Sequence, residues 1–163
     1  MKENAPIKRS PALVSFSKDH HFGLLLVWKI RHGLHQAVSA ERISAYVLFS
    51  FKEDLEKHFK DEEQLLFCKL PMDDILRKQA EEDHQEIYNL VVEIGKKDDN
   101  INLLNRFAIA LEKHIRFEER ELFNHLQSNI AEDELEEIAG RLSNDTKAID
   151  AKWKDTFWEN KIS

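Results

Sequence analysis

One ten-residue pattern occurs twice in this chain and constrains its fold more than anything else in it. His58-Phe-Lys-Asp-Glu62-Glu-Gln-Leu65-Leu66-Phe67 returns 56 residues later as His114-Ile-Arg-Phe-Glu118-Glu-Arg-Glu-Leu122-Phe123. In each copy a glutamate follows a histidine by four residues, so on a helix the imidazole and the carboxylate stand one turn apart on one face. A single metal ion could touch both. The next glutamate, Glu63 or Glu119, points about 100° away, and a Leu/Phe pair then resumes an apolar stripe.

The segments between these copies read as helix. Only four glycines and three prolines occur in 163 residues, and two of the prolines, Pro6 and Pro11, lie near the start. Residues 1–16 are therefore expected to form an irregular lead-in. Ser17-Lys-Asp19 can cap a first helix running to about Val38, with positions 20, 23, 24, 27, 30 and 34 on one stripe and Gly33 as a weak spot. Ser39 can cap a second helix from Ala40 to Leu70, stopped by Pro71, and Asp73 or Asp74 a third from Ile75 to about Ile94. After the turn at Gly95-Lys-Lys-Asp-Asp-Asn a fourth helix is expected from about Asn102 to Leu126. Glu132 to Leu142 and Asp145 to about Glu159 read as one or two further helices, the last able to pack Trp153, Phe157 and Trp158 on the rest. The expected fold is thus all-α: an up-down-up-down four-helix bundle over residues 17–128, with a C-terminal helical extension over 129–163 packing on it.

Register along these helices brings four histidines to one height. A hairpin turning near residues 38–40 sets His20 level with His58, and one turning near 97–100 sets His84 level with His114. Across Pro71, His58 and His84 stand about 13 positions either side. Each helix then gives one histidine to a single interior layer, with Glu62 and Glu118 one turn along. Burying these groups without a partner would cost several kcal/mol per charge, which a metal removes. Four nitrogens and two carboxylates exceed the needs of a closed tetrahedral zinc site and suit two ions sharing carboxylates, with iron or manganese favoured over calcium or magnesium. His32, His35 and His125 are assigned to surface or packing roles, and Cys68 to a small core position.

Charge and cysteine content narrow the class. A net charge of −7 without clustered basic residues argues against nucleic acid as a partner. The longest apolar run, Leu24 to Trp28, is too short to span a bilayer, and one cysteine rules out an intramolecular disulfide framework and suits a reducing compartment. A soluble, cytoplasmic protein is expected.

These residues resemble the hemerythrin-like family, the histidine-histidine-glutamate cation-binding domains. The resemblance rests on Asp19-His20, His58xxxGlu62-Glu63, Asp83-His84 and His114xxxGlu118-Glu119 with their apolar tails, and covers roughly residues 17–126. It implies a bundle enclosing a non-haem di-iron centre, with Glu62 and Glu118 bridging two iron ions and His20, His58, His84 and His114 as terminal ligands. His20 is preferred to its neighbour His21 because Leu24, Val27 and Ile30 continue its stripe. Where the oxygen carriers of the family place a further histidine, this chain has Tyr88, whose phenol is read either as ordinary packing or as a group coordinating iron or donating to a metal-bound ligand. Asp19, Asp83, Glu63 and Glu119 are candidates to orient the imidazoles. The implied function is binding or reacting with oxygen, peroxide or nitric oxide, or sensing or handling iron. The alternative is an iron-dependent regulatory module without turnover, and a protein partner or a second copy of the chain remains open on either reading.

Overall fold

The computed structural model describes residues 8–142 and 149–159, and every regular element among them is helical. Helix α1 spans Pro11–His35, earlier than the expected start at residue 17. Pro11 opens the helix instead of forbidding it: at the first helical position its missing N–H costs nothing and its ring presets φ. Ser10 caps this end, its Oγ accepting from the Leu13 N–H at 3.4 Å.

Helix α1 ends three residues before Val38 in a wrapped turn. The Val38 N–H reaches back to the Gly33 carbonyl at 2.9 Å and the Ala37 N–H to that of Leu34 at 3.2 Å, with Ala37 at a φ of 57°. That is the geometry in which glycine usually ends a helix, here taken by alanine. Gly33 is no weak spot. A Cβ there would stand 2.8 Å from Phe157 and 3.0 Å from Ile43, so its bareness admits the Phe157 ring.

Helix α2 is one helical rod over residues 40–69: Ala40–Ser50, a π-helical turn Phe51–Leu55, Glu56–Asp61, a second π-turn Glu62–Leu66, and a closing 3₁₀ turn Phe67–Lys69. Helix α3 spans Ile75–Lys96 and is capped by Asp74, which accepts from the Arg77 N–H at 3.0 Å. Helix α4 covers residues 101–129 as Ile101–Phe117, a π-turn Glu118–Leu122 and Phe123–Asn129, with Asn100 as its cap. The rod α2 packs on α1 and α3, and α4 packs on both as well, which is the expected up-down-up-down bundle.

Helix α5, Glu132–Arg141, folds back on α1. The second C-terminal helix is not formed where the chain is described; residues 143–148 lie outside the described residues, and beyond them a 3₁₀ turn, Ile149–Lys152, leads into an irregular strap. The strap replaces helical hydrogen bonds with anchors to the bundle and tight local turns. Arg42 pairs with both Asp155 oxygens at 2.9 and 2.6 Å, the Trp153 indole donates to the Asp155 carbonyl at 2.9 Å, and Phe157 is buried. Trp153 and Trp158 pack around Tyr46, and the Lys29 ammonium lies 3.9 Å from the Trp158 ring centroid and 2.9 Å from the Tyr46 hydroxyl.

The apolar core comes in two parts. One contains Leu26, Ile30, Ile43, Phe51, Phe59, Ile87, Leu104, Phe107 and Ile115, the other Leu13, Phe16, Leu66, Phe67, Leu122, Phe123 and Leu126. Between them lies a polar layer.

Candidate metal centre

The polar layer is built from four helices that each deliver one histidine. His20 comes from α1, His58 and Glu62 from α2, His84 from α3, and His114 and Glu118 from α4, and none of the six is more than 6% exposed. All four imidazoles and both carboxylates meet at one level, as the register along the helices requires. His21, the neighbour set aside in favour of His20, is exposed.

The π-turns that begin at Glu62 and Glu118 explain how each rod turns a glutamate inward and still buries the leucines beyond it. Glu62 and Leu66 on α2 with Leu70 just past its end, and Glu118, Leu122 and Leu126 on α4, are all buried at steps of four. On an ideal α-helix four residues overshoot a full turn by roughly 40°, so such a stripe would wind off the core. A π-turn starting at each glutamate takes one more residue into the turn and brings the next leucine back to the interior. The repeated Phe of the motif also gains a role: Phe67 lies 5.4 Å from the His84 ring and Phe123 stacks on His20 at 5.2 Å.

Ligand atoms fall into two overlapping groups. His20, His58, Glu62 and Glu118 form one, and Glu62, His84, His114 and Glu118 the other, with the atoms of each group within 4.8 Å of one another. Both carboxylates are common to both. The His20 Nε2 stands 3.1 Å from Glu118, the His58 Nε2 3.2 Å from Glu62, and the His84 Nε2 3.3 Å from Glu62 and 3.8 Å from Glu118; His114 Nε2 also abuts Glu118. Close as these approaches are, they are not aligned as hydrogen bonds: the His20 Nε2 and all four oxygens of Glu62 and Glu118 are buried without a hydrogen-bond partner. Two bare carboxylates in an apolar interior cost several kcal/mol each unless a cation meets them.

While no metal is bound, protons have to play that part. Burial pulls the His20 imidazole down, but Glu118 and Glu119 outweigh it and push it up to about 9. His84 likewise rises against burial to about 11, driven by Glu118, Glu62 and Glu63. His58 and His114 rise for the same reason, and Glu118 is held well below the usual carboxylate range, burial being outweighed by His114 first among its partners.

The outward-facing Nδ1 atoms are fixed in a closed cycle. Asp19 of α1 meets His58 of α2 at 3.0 Å, Glu63 of α2 meets His84 of α3 at 2.9 Å, Asp83 of α3 meets His114 of α4 at 3.0 Å, and Glu119 of α4 meets His20 of α1 at 2.7 Å. These are the four carboxylates expected from the sequence to orient the imidazoles, each reaching the next helix around the bundle. An Nδ1–H donated outward leaves the Nε2 lone pair aimed at the centre, the tautomer a metal ligand needs.

Tyr88 stands one turn beyond His84 on α3. Its ring packs edge-on against Phe51 at 5.2 Å and Phe59 at 6.0 Å, and its phenol is pushed up first by burial and then by Glu63 and Glu56. Phe59 in turn stacks on His84 at 4.0 Å. Cys68 is exposed, not in the core; its thiol donates to the Gln64 carbonyl at 2.9 Å because the 3₁₀ turn at Phe67 turns it outward. Of the histidines given packing roles, His32 stacks on Trp28 and His125 bonds the capping Asp74 at 2.6 Å. Arg9 went unnoticed in the sequence, since it lies in the expected lead-in; its guanidinium pairs with Glu119 and donates to Ser17 at 3.0 Å.

A four-helix bundle with a buried layer of imidazoles and shared carboxylates, unsatisfied from within, defines a cation-binding helical protein. The chain belongs to the hemerythrin HHE cation binding domain family, whose description matches residues 26–126. No curated protein and no solved structure compared with the chain gives a match. The family match begins beyond His20, so the place of that residue in the centre rests on its geometry.

No helix among the described residues is long and apolar enough to cross a membrane.

Proposed function

We propose that this chain is a non-haem di-iron protein of the hemerythrin type, binding or reacting with a small oxidant such as oxygen, peroxide or nitric oxide. The observation that carries this reading is the sharing of Glu62 and Glu118 by two ligand groups whose carboxylate oxygens lack any hydrogen-bond partner. One ion would be held by His20 and His58, the other by His84 and His114, with both glutamates bridging. Two imidazoles and two carboxylates per ion would favour iron or manganese. When bound, a ferrous pair supplies two electrons to oxygen or peroxide.

The chain's own residues set the conditions for that chemistry. The four outer carboxylates hold the imidazoles in the metal-binding tautomer, and the two apolar clusters keep bulk water from the layer. Tyr88 packs on Phe59, whose ring stacks on His84. A reducing compartment such as the cytoplasm would keep the exposed Cys68 as a thiol.

A second reading, an iron-dependent regulatory module without turnover, is favoured by the division of the core into two clusters by the metal layer, because metal loss would then alter the whole bundle. Iron content per chain, with optical spectra before and after oxygen, tests the first reading. Wild-type protein should carry two irons and change its spectrum on oxygenation. Glu118→Ala should lose both ions and His84→Ala should keep one. Metal-free protein, or unchanged iron after Glu118→Ala, overturns the proposal, and an oxygen-insensitive spectrum with two irons present would select the regulatory reading.

A further inference from the structure

The four outer carboxylates are not supported alike. Asp83 accepts from the neutral amide of Gln79 at 2.8 Å, on its own helix. Glu119 is instead gripped by Arg9, a residue just ahead of α1. One guanidinium nitrogen pairs with the Glu119 carboxylate and donates to Ser17 Oγ at 3.0 Å, and the other donates to the Glu119 main-chain carbonyl at 3.0 Å. The same guanidinium lies 5.5 Å from the centroid of the Phe123 ring, which stacks on His20 at 13° to its plane. Arg9 therefore touches both groups that fix the His20 ring: the carboxylate on its Nδ1 and the aromatic face beneath it.

The segment carrying Arg9 is itself fastened to α4. Gln127 accepts from the Ser10 N–H at 2.9 Å and donates to the Lys8 carbonyl at 2.6 Å. Arg9 is thus held from both sides of its backbone, with little freedom left to withdraw. Charged, multiply bonded guanidinium contacts are geometrically specific, and an outer partner of a ligating histidine typically changes metal affinity 10–100-fold.

We infer that Arg9 is a positioning residue that makes one of the two metal pockets, the one containing His20 and His58, depend on the segment preceding α1. It acts through Glu119 and Phe123 on the orientation of His20, and leaves the His84/His114 pocket to its own supports. The inference rests on the two-ion reading above, and the test separates the two.

Cobalt(II) is the probe, titrated into the metal-free full-length chain under nitrogen and followed by its visible bands, with circular dichroism as a check on folding. Wild type should bind two equivalents. Arg9→Ala should weaken one equivalent about tenfold or more and shift the band belonging to it, Arg9→Lys should recover part of that affinity, and Gln79→Ala should not affect the same equivalent. His20→Ala should remove the equivalent that Arg9→Ala weakens. A wild type that takes up two equivalents beside a folded Arg9→Ala chain with the same isotherm and bands overturns this inference alone. Equal weakening of both equivalents overturns it as well, since that is the mark of a general loss of stability. A wild type that takes up no cobalt overturns both readings.

Discussion

Glu118 touches more of the layer than any other side chain: it faces His20, His84 and His114 and belongs to both ligand groups, yet its oxygens lack hydrogen bonds. What neutralises it depends on pH. Imidazoles raised above their ordinary 6.5 stabilise the metal-free fold fully below that value, and the contribution is lost as pH rises through about 9 for His20 and about 11 for His84. On the acid side, Glu119 is lowered to about 2, burial being outweighed by bonds from His20, Ser17 and Arg9, so its contribution is present above 4.5 and lost below. Thermal melts of chelator-treated protein should therefore show a plateau between pH 4.5 and 6.5 and a steady fall toward pH 10. Metal uptake should run the other way, with affinity for added metal greater at pH 8 than at pH 6, because the cation must displace the same protons. A melting temperature that rises toward pH 10 without metal would contradict the assignment. Tyr88→Phe should leave the metal content unchanged, as measured by elemental analysis, because the packing of the ring on Phe51 and Phe59 survives loss of the hydroxyl.

The end of α1 can be tested as an element. Ala37 holds a left-handed conformation at φ 57° to wrap the α1–α2 turn. Ala37→Gly should stabilise by about 0.5–1 kcal/mol, the strain relieved less the backbone freedom glycine adds, raising the melting temperature by about 1–4 °C. Gly33→Ala should have the opposite effect, costing about 1–3 kcal/mol by pushing against Phe157 and Ile43. In a Phe157→Ala background the cost should shrink, and an undiminished cost in denaturant melts would show that Phe157 is not what the glycine admits. The sequence made the helices legible through the scarcity of breakers and the four-residue pairing of His58 with Glu62 and His114 with Glu118, and register alone aligned the histidines. It did not disclose the π-turns, because backbone hydrogen bonding one residue longer leaves no residue type behind; the only trace is a stripe of buried positions at unbroken steps of four. Pro11 was misread for a different reason, since the same ring that breaks a helix inside it begins one at its edge. Nor could spacing foretell that Asp155 would give the strap an anchor on Arg42 in place of a helix.

Taken whole, the bundle stores its least favourable atoms in the middle, where one apolar cluster ends and the other begins. Filling that layer should stiffen both ends together. A ligand at a hundredfold excess over its dissociation constant adds about 2.7 kcal/mol, or about 5–10 °C in melting temperature for a chain of this size. Calorimetry with and without metal measures the shift, and hydrogen exchange should show slower amides in both clusters; protection confined to one would contradict a shared layer.

Each antiparallel pair of helices owns both histidines of one pocket but only one of its glutamates, the other being on loan from the opposite pair. On the two-ion reading, the first ion to arrive would clasp the two halves of the molecule to one another. A single equivalent should then already raise the melting temperature of the whole chain, ahead of the further rise brought by a second.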